Sequence, residues 1–272
     1  MVSFLSLNAW NAQAQTVEIC GRAAQGEILW GKTEDFTKID ALGKNYKVSA
    51  DGDFIIALGR DEKAVQKIVF ETEDGQKSQR ILNVAPTKWD VQSLKGVQPR
   101  KVNPVKVDLT PIERERKLIR EALAKDLDYP YWKSGFVQPV EGRISGNFGG
   151  QRIMNGYKKS PHAGTDIAVL EGTPVKAAGD GVVTLVGYDL FYSGNVLIVD
   201  HGHGLQTIYA HLSSFDVKEG QKVKKGDVVA KSGKTGRVTG PHLHWGASLN
   251  GVKFNPLSLL SLGAKDKKCF KL

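Results

Sequence analysis

Cysteine is scarce in this chain of 272 residues. Only Cys20 and Cys269 occur, near opposite ends and in no CxxC or CxxH spacing, which excludes a cysteine-based metal or redox site of the usual design. The two could still join as a disulfide if the chain is exported and its ends meet. Long apolar runs are also missing. No stretch reaches the roughly twenty residues that a membrane-crossing helix needs, so stable membrane insertion is not expected. Recognition-helix, RNP-type and zinc-finger patterns are absent as well. The excess of 38 basic over 29 acidic residues, a net charge of +9, therefore reads as a solvated basic surface, with no nucleic-acid partner implied.

What is present is glycine and β-type sequence. Thirty glycines point to many turns, and from residue 16 to 97 short β-forming runs alternate with turn signals, as in a small antiparallel β-sandwich. Asp51-Gly52 and Asp74-Gly75, each between apolar runs, are read as hairpin turns. Ahead of them, the apolar segment Met1 to Trp10 and Ala12-Gln13-Ala14 suggest a signal peptide over residues 1–15. The chain is then expected to be exported, to the periplasm or cell envelope. Residues 98–135 read as a linker with one helix: Thr110 as N-cap, Pro111 at the first helical position and Glu113 completing a capping box. That helix is expected to run to Asp128, with Leu118, Ile119, Ala122 and Leu123 on one face. A second β- and Gly-rich domain is expected over 136–262, followed by a basic tail, 263–272.

One motif misleads. Residues Gly26 to Thr33 satisfy GxxxxGK[ST], and Val196 to Asp200 imitates the strand and carboxylate that often accompany a P-loop. Ile28, Leu29 and Trp30, however, are β-formers where a phosphate cradle needs a tight loop, and no strand–helix alternation follows. The ATPase reading is disfavoured.

Chemistry gathers in the second half. In an extended strand His242 and His244 project to one side, with Leu243 turned away. His162 and Asp166 add an imidazole and a carboxylate four residues apart. Neutral nitrogen with hard oxygen suits Zn²⁺, and three protein ligands with an open fourth position mark a catalytic zinc. His201 and His203, flanked by glycines, are read as surface or hydrogen-bonded turn residues. Gly233-Lys234-Thr235-Gly236 is read as the turn that delivers His242 and His244.

Two segments are loosely alike, each with Glu-Gly, then Val-Lys, then Gly-Asp before a valine pair: Glu171 to Val183 and Glu219 to Val229. They resemble the duplicated hairpins of a barrel-sandwich hybrid. Together with Gly146-Asn147-Phe148-Gly149, His162-Ala163-Gly164-Thr165-Asp166, Tyr209-Ala210-His211-Leu212 and Gly240-Pro241-His242-Leu243-His244-Trp245, they make residues 142–256 similar to the lysostaphin/LytM-type zinc metallopeptidases. The resemblance implies a mostly β protein with one zinc ion per chain, an endopeptidase acting on bacterial peptidoglycan through a metal-activated water. It assigns the metal to His162, Asp166 and His244. His242 becomes a non-ligand that shares general-base and transition-state work with His211. Some proteins of this fold have lost their ligands and regulate cell-wall hydrolases instead, but here all five positions are filled. An N-terminal domain that plugs the cleft is a further expectation. Tyr157, five residues before His162, is left unassigned.

Overall fold

The computed structural model describes residues 17–262 and 268–272; the expected signal peptide lies outside them. The N-terminal part is built on two antiparallel four-stranded sheets. One runs β21-β1-β2-β5, from Glu18–Cys20 (β1), Ile28–Lys32 (β2), Asp53–Ala57 (β5) and Cys269–Lys271 (β21). The other runs β4-β3-β6-β7, from Phe36–Ala41 (β3), Lys44–Lys47 (β4), Val65–Thr72 (β6) and Lys77–Asn83 (β7). Phe54 of the first and Phe70 of the second bring their rings within 6.0 Å, so the expected sandwich has a shared aromatic core.

Asp74-Gly75 makes its hairpin, joining β6 to β7. Asp51-Gly52 does not. It carries the chain from β4 in one sheet to β5 in the other, because β4 pairs with β3 and β5 with β2. The GxxxxGK[ST] stretch is β2 itself, a sandwich strand held between β1 and β5, and forms no phosphate loop.

Val91–Leu94 (β8), within residues 16–97, runs parallel to Gln151–Met154 (β10), which also pairs with Tyr157–Lys158 (β11). The linker holds a single turn, Pro99–Val102 (α1), and one long helix, Leu109–Leu123 (α2). Thr110 lies inside that helix rather than capping it: Asp108 precedes the first turn and pairs with Arg100. The helix also stops five residues early, because residues 125–128 find other partners. Leu127 N–H donates to Asp200, and Leu127 O accepts from His203 N–H. Leu118, Ile119, Ala122 and Leu123 form the buried face, as their spacing predicts, against Leu185, Leu190, Val196, Ile198 and Ala210.

The C-terminal part is one ten-stranded sheet. Its path is β17-β14-β15-β16-β19-β12-β9, from Arg143–Gly146 (β9), Gly164–Ala168 (β12), Gly181–Leu190 (β14), Gly194–Asp200 (β15), Leu205–Phe215 (β16), Lys222–Val223 (β17) and Leu243–Leu249 (β19). Pro174–Lys176 (β13), Val228–Ser232 (β18) and Val252–Phe254 (β20) lie off that path. The two similar segments pair crosswise, β13 with β18 and β14 with β17. The mostly β class expected from sequence is the one observed, and no helix among the described residues is long and apolar enough to cross a membrane.

Residues 269–271, expected in a basic tail, complete the first sheet. Cys269 stands opposite Cys20 in the β1–β21 register, and the two form a disulfide across 249 residues. Closing so long a loop restrains the unfolded chain, so the Cys20→Ser/Cys269→Ser variant should lose about 2–4 kcal/mol of stability in denaturant unfolding.

Candidate metal centre

The site forms where β12, β16 and β19 run side by side. Register places Asp166 opposite His244, and His244 opposite Ala210, the residue before His211. On β19 the alternate residues Leu243, Trp245, Ala247 and Leu249 are fully buried, which turns His244 to the other face. Two glycines make the approach possible. A methyl group at Gly164 would lie 2.7 Å from His244 Nε2, and one at Gly146 would lie 2.8 Å from Asp166 Oδ2.

His162 enters from the loop before β12. Its Nδ1 lies 3.0 Å from Asn147 O, and a carbonyl only accepts, so Nδ1 carries the proton and Nε2 is left free to bind. That Nε2 lies 2.9 Å from Asp166 Oδ1 and 3.0 Å from His244 Nδ1. His244 Nδ1 is 2.8 Å from the same carboxylate oxygen. One ligand atom from each of the three residues thus falls within 4.8 Å of the other two. Burial would raise the Asp166 pKa, but hydrogen bonds and charge from His162 and His244 hold it well below the usual carboxylate range. Burial pushes His162 down to about 4, against the pull of Asp166. The result is an ionised carboxylate beside neutral imidazole, the protonation state a metal requires. The other such cluster among the described residues, Glu18, Cys20 and Cys269, has both its sulfurs in the disulfide.

His211 and His242 stand beside this group, their rings 4.8 Å apart and His211 5.9 Å from His244. Each ties Nδ1 to a backbone carbonyl, Thr235 O at 2.8 Å for His211 and Gly240 O at 2.9 Å for His242. Both therefore keep a free Nε2. Burial lowers both pKa values, that of His211 far below its ordinary value. His211 also has a positive φ of 64°, at the point where β16 changes partner from β19 to β18. Such a backbone is uncommon for a residue other than glycine and tends to mark functional positions.

All five residues singled out from sequence converge here. The turn 233–236 contributes through Thr235 O, and through an isolated bridge from Gly233 to His242. Tyr157 lies exposed on β11. His201 and His203 are hydrogen-bonded, as expected, but buried: His201 bonds Asp180 O and Thr207 Oγ1, and His203 bonds Asp128 O.

Two residues of the site went unseen in the sequence. Arg152 of β10 pairs with Asp166 Oδ2, and a lone arginine in a β run carries no local signal. Glu115 of α2, 4% exposed, accepts from Tyr192 N, Ser193 N and Ser193 Oγ at 2.7–3.0 Å. Ser193 O in turn accepts from His211 N, so the helix holds the loop on which His211 rests. Glu115→Ala strands three half-buried donors and should cost about 2–4 kcal/mol in denaturant unfolding. Glu115→Gln, which still accepts, should lose less.

The small cavity at the cluster measures about 120 Å³ and is lined by Asp166, His242, Arg152 and Arg237, with Gln92 and Leu94 from β8.

Comparison with known proteins agrees with this geometry. Residues 160–256 match the model of peptidase family M23. Over 144 residues the chain is 44% identical to the DD-carboxypeptidase/endopeptidase Mpg of Neisseria meningitidis, covering 51% of this chain and 33% of that one. Over 134 residues it is 46% identical to the peptidoglycan DD-endopeptidase ShyA of Vibrio cholerae, covering 47% and 31%. The chain spans about a third of the length of these curated relatives. A crystal structure of a candidate M23 peptidase from Pseudomonas aeruginosa superposes with a TM-score of 0.71 at 29% identity, covering 89% of this chain and 96% of that one. Residues 160–256 are therefore a peptidase M23 domain.

Proposed function

We propose that this chain is a zinc-dependent endopeptidase that hydrolyses peptide bonds of bacterial peptidoglycan, in cross-links or stem peptides. The observation that carries this reading is the buried convergence of His162, Asp166 and His244 with two further neutral imidazoles against them. Two imidazole nitrogens and one hard, ionised oxygen fit a single zinc ion. Zinc held there supplies Lewis acidity, polarising a carbonyl and making water nucleophilic near neutral pH.

The remaining work falls to the chain's own side chains. Asp166 keeps its charge because His162, His244 and Arg152 surround it. His211 and His242, each with Nδ1 occupied, present Nε2 as a proton acceptor. One takes a proton from the nucleophile and, holding it on Nε2, donates to the carbonyl oxygen as negative charge grows on it, while the other stands beside it as a second acceptor. Mpg and ShyA, both named as endopeptidases, support the substrate class. The filled ligand set argues against a regulator that has lost its metal. The Cys20–Cys269 disulfide supports action in an oxidising compartment, the periplasm or cell envelope.

The same reading includes a restraint within the chain. A cavity of about 120 Å³ is smaller than the roughly 300 Å³ of an ordinary ligand pocket. Gln92, Leu94 and Val97 line it, and residues 89–97 are read as an inhibitory strap. Mass spectrometry of purified peptidoglycan incubated with the chain tests the activity. New amino and carboxyl termini within the peptides name the bond cut. None, even with the strap loosened, would overturn the endopeptidase reading.

A further inference from the structure

A second, larger cavity lies on the same face of the sheet as His244. Alternation along β19 turns His244, Gly246 and Ser248 to one side, and the register of Ser248 with Lys253 adds the Lys253 side chain to it. α2 covers the neighbouring part of this face, over β14 and β15. Between that helix and β20 an open trough of about 620 Å³ remains, with Ile119, Leu123 and Tyr192 among its apolar walls. One end is the turn at Asn250 and Gly251. At the other, the Tyr192 ring carries the Arg237 guanidinium 4.4 Å from its centroid. Arg237 lines the small cavity with Asp166 and His242, so the Tyr192–Arg237 pair stands between trough and metal centre.

The charges in the trough are unevenly committed. Glu115 is saturated by three donors. Asp126 is taken by Lys47 and by Gly204 N–H, and Lys125 donates to Thr184 O. The side chains of Arg116, Arg120 and Lys253, which line the same trough, have no hydrogen-bond or ion-pair partner among the described residues. Three uncommitted cations beside an apolar strip match a ligand that lays its chain on the strip and turns carboxylates to the cations.

We propose that this trough is a binding subsite for a carboxylate-bearing peptide strand of the substrate, held by Arg116, Arg120 and Lys253. The proposal rests on the peptidoglycan reading above, since it extends that substrate beyond the bond that is cut.

The test measures binding rather than turnover. The full chain in its His244→Ala form, which leaves the polymer uncut, is co-sedimented with purified insoluble peptidoglycan, and with the same polymer after its free carboxyls are converted to amides. Arg116→Ala/Arg120→Ala/Lys253→Ala is compared with a control, Lys44→Ala/Lys63→Ala/Lys67→Ala, which removes as much charge from exposed sites on the sandwich. The trough variant should raise the Kd for the native polymer about tenfold, the combined worth of three exposed charge contacts, and should erase the preference for native over amidated polymer. The control should keep both. Single glutamine substitutions at the three trough positions should each raise Kd about twofold, an additive share of that loss. A trough variant that keeps the preference, a control that loses it equally, or a parent chain indifferent to amidation would each overturn the subsite. Failure of both the wild-type chain and its strap-loosened form to release new termini would instead sink the endopeptidase reading and leave a carboxylate-dependent binding result standing.

Discussion

His244→Ala should lower the release of new peptide termini from purified peptidoglycan by more than about a thousandfold, the rate equivalent of several kcal/mol of transition-state stabilisation from a bound metal. His244 offers one of the three ligand atoms that converge here among the described residues, and its Nδ1 lies 2.8 Å from Asp166 Oδ1. Without it two protein ligands remain, too few for a catalytic zinc site. The zinc content of the purified protein should fall in step, and a chelator should reproduce the loss in the wild-type chain. His242→Ala makes the contrast. Its Nδ1 bonds Gly240 O and its Nε2 lies 3.7 Å from Asp166, so zinc should be retained while turnover falls about 10²- to 10⁴-fold, the range for general acid–base groups. If His244→Ala kept a tenth of the wild-type rate with full metal content, the ligand assignment would be wrong.

The site was legible in sequence because its geometry is largely local. A period of two makes His242 and His244 share a side, and four residues bring His162 and Asp166 together; the chain then only has to place β12 beside β19. The sandwich was legible through its short alternating runs, and the helix face through the spacing of Leu118, Ile119, Ala122 and Leu123. What escaped depends on partners distant in sequence. Glu115 reaches a loop 77 and 78 residues away, and Gln92 bonds Ser145 O, 53 residues on. β21 finds β1 from the far end of the chain. The Asp51-Gly52 turn was misread for a related reason: two flanking apolar runs look alike whether they pair with each other or with strands of opposite sheets. The P-loop pattern failed because a glycine spacing says nothing of conformation, and β1 and β5 claim that stretch as a strand.

Loosening the strap should have the opposite effect, raising the rate of termini release about tenfold in the Gln92→Ala/Leu94→Ala variant. Gln92 anchors β8 through Nε2–H to Ser145 O at 3.1 Å and accepts from Arg152 Nε at 3.2 Å. Leu94 packs against the small cluster of Val97, Val102 and Met154. Losing the two hydrogen bonds and a half-buried leucine side chain costs the closed state about 2–3 kcal/mol, while the open state, where these groups meet water, loses little. A shift of that size multiplies a minor open population about thirty- to 150-fold, and the rate follows until opening no longer limits it. Neither residue offers a metal ligand, so zinc content should stay as in the wild type and the added rate should remain chelator-sensitive. The Trp89 ring, packed edge-on against Phe148 with Arg60 over it, still tethers the start of the segment, so the strap swings aside without freeing the sandwich. An unchanged rate with unchanged zinc would mean that β8 does not obstruct the substrate, and that peptide reaches Asp166 and His242 along a path clear of residues 89–97.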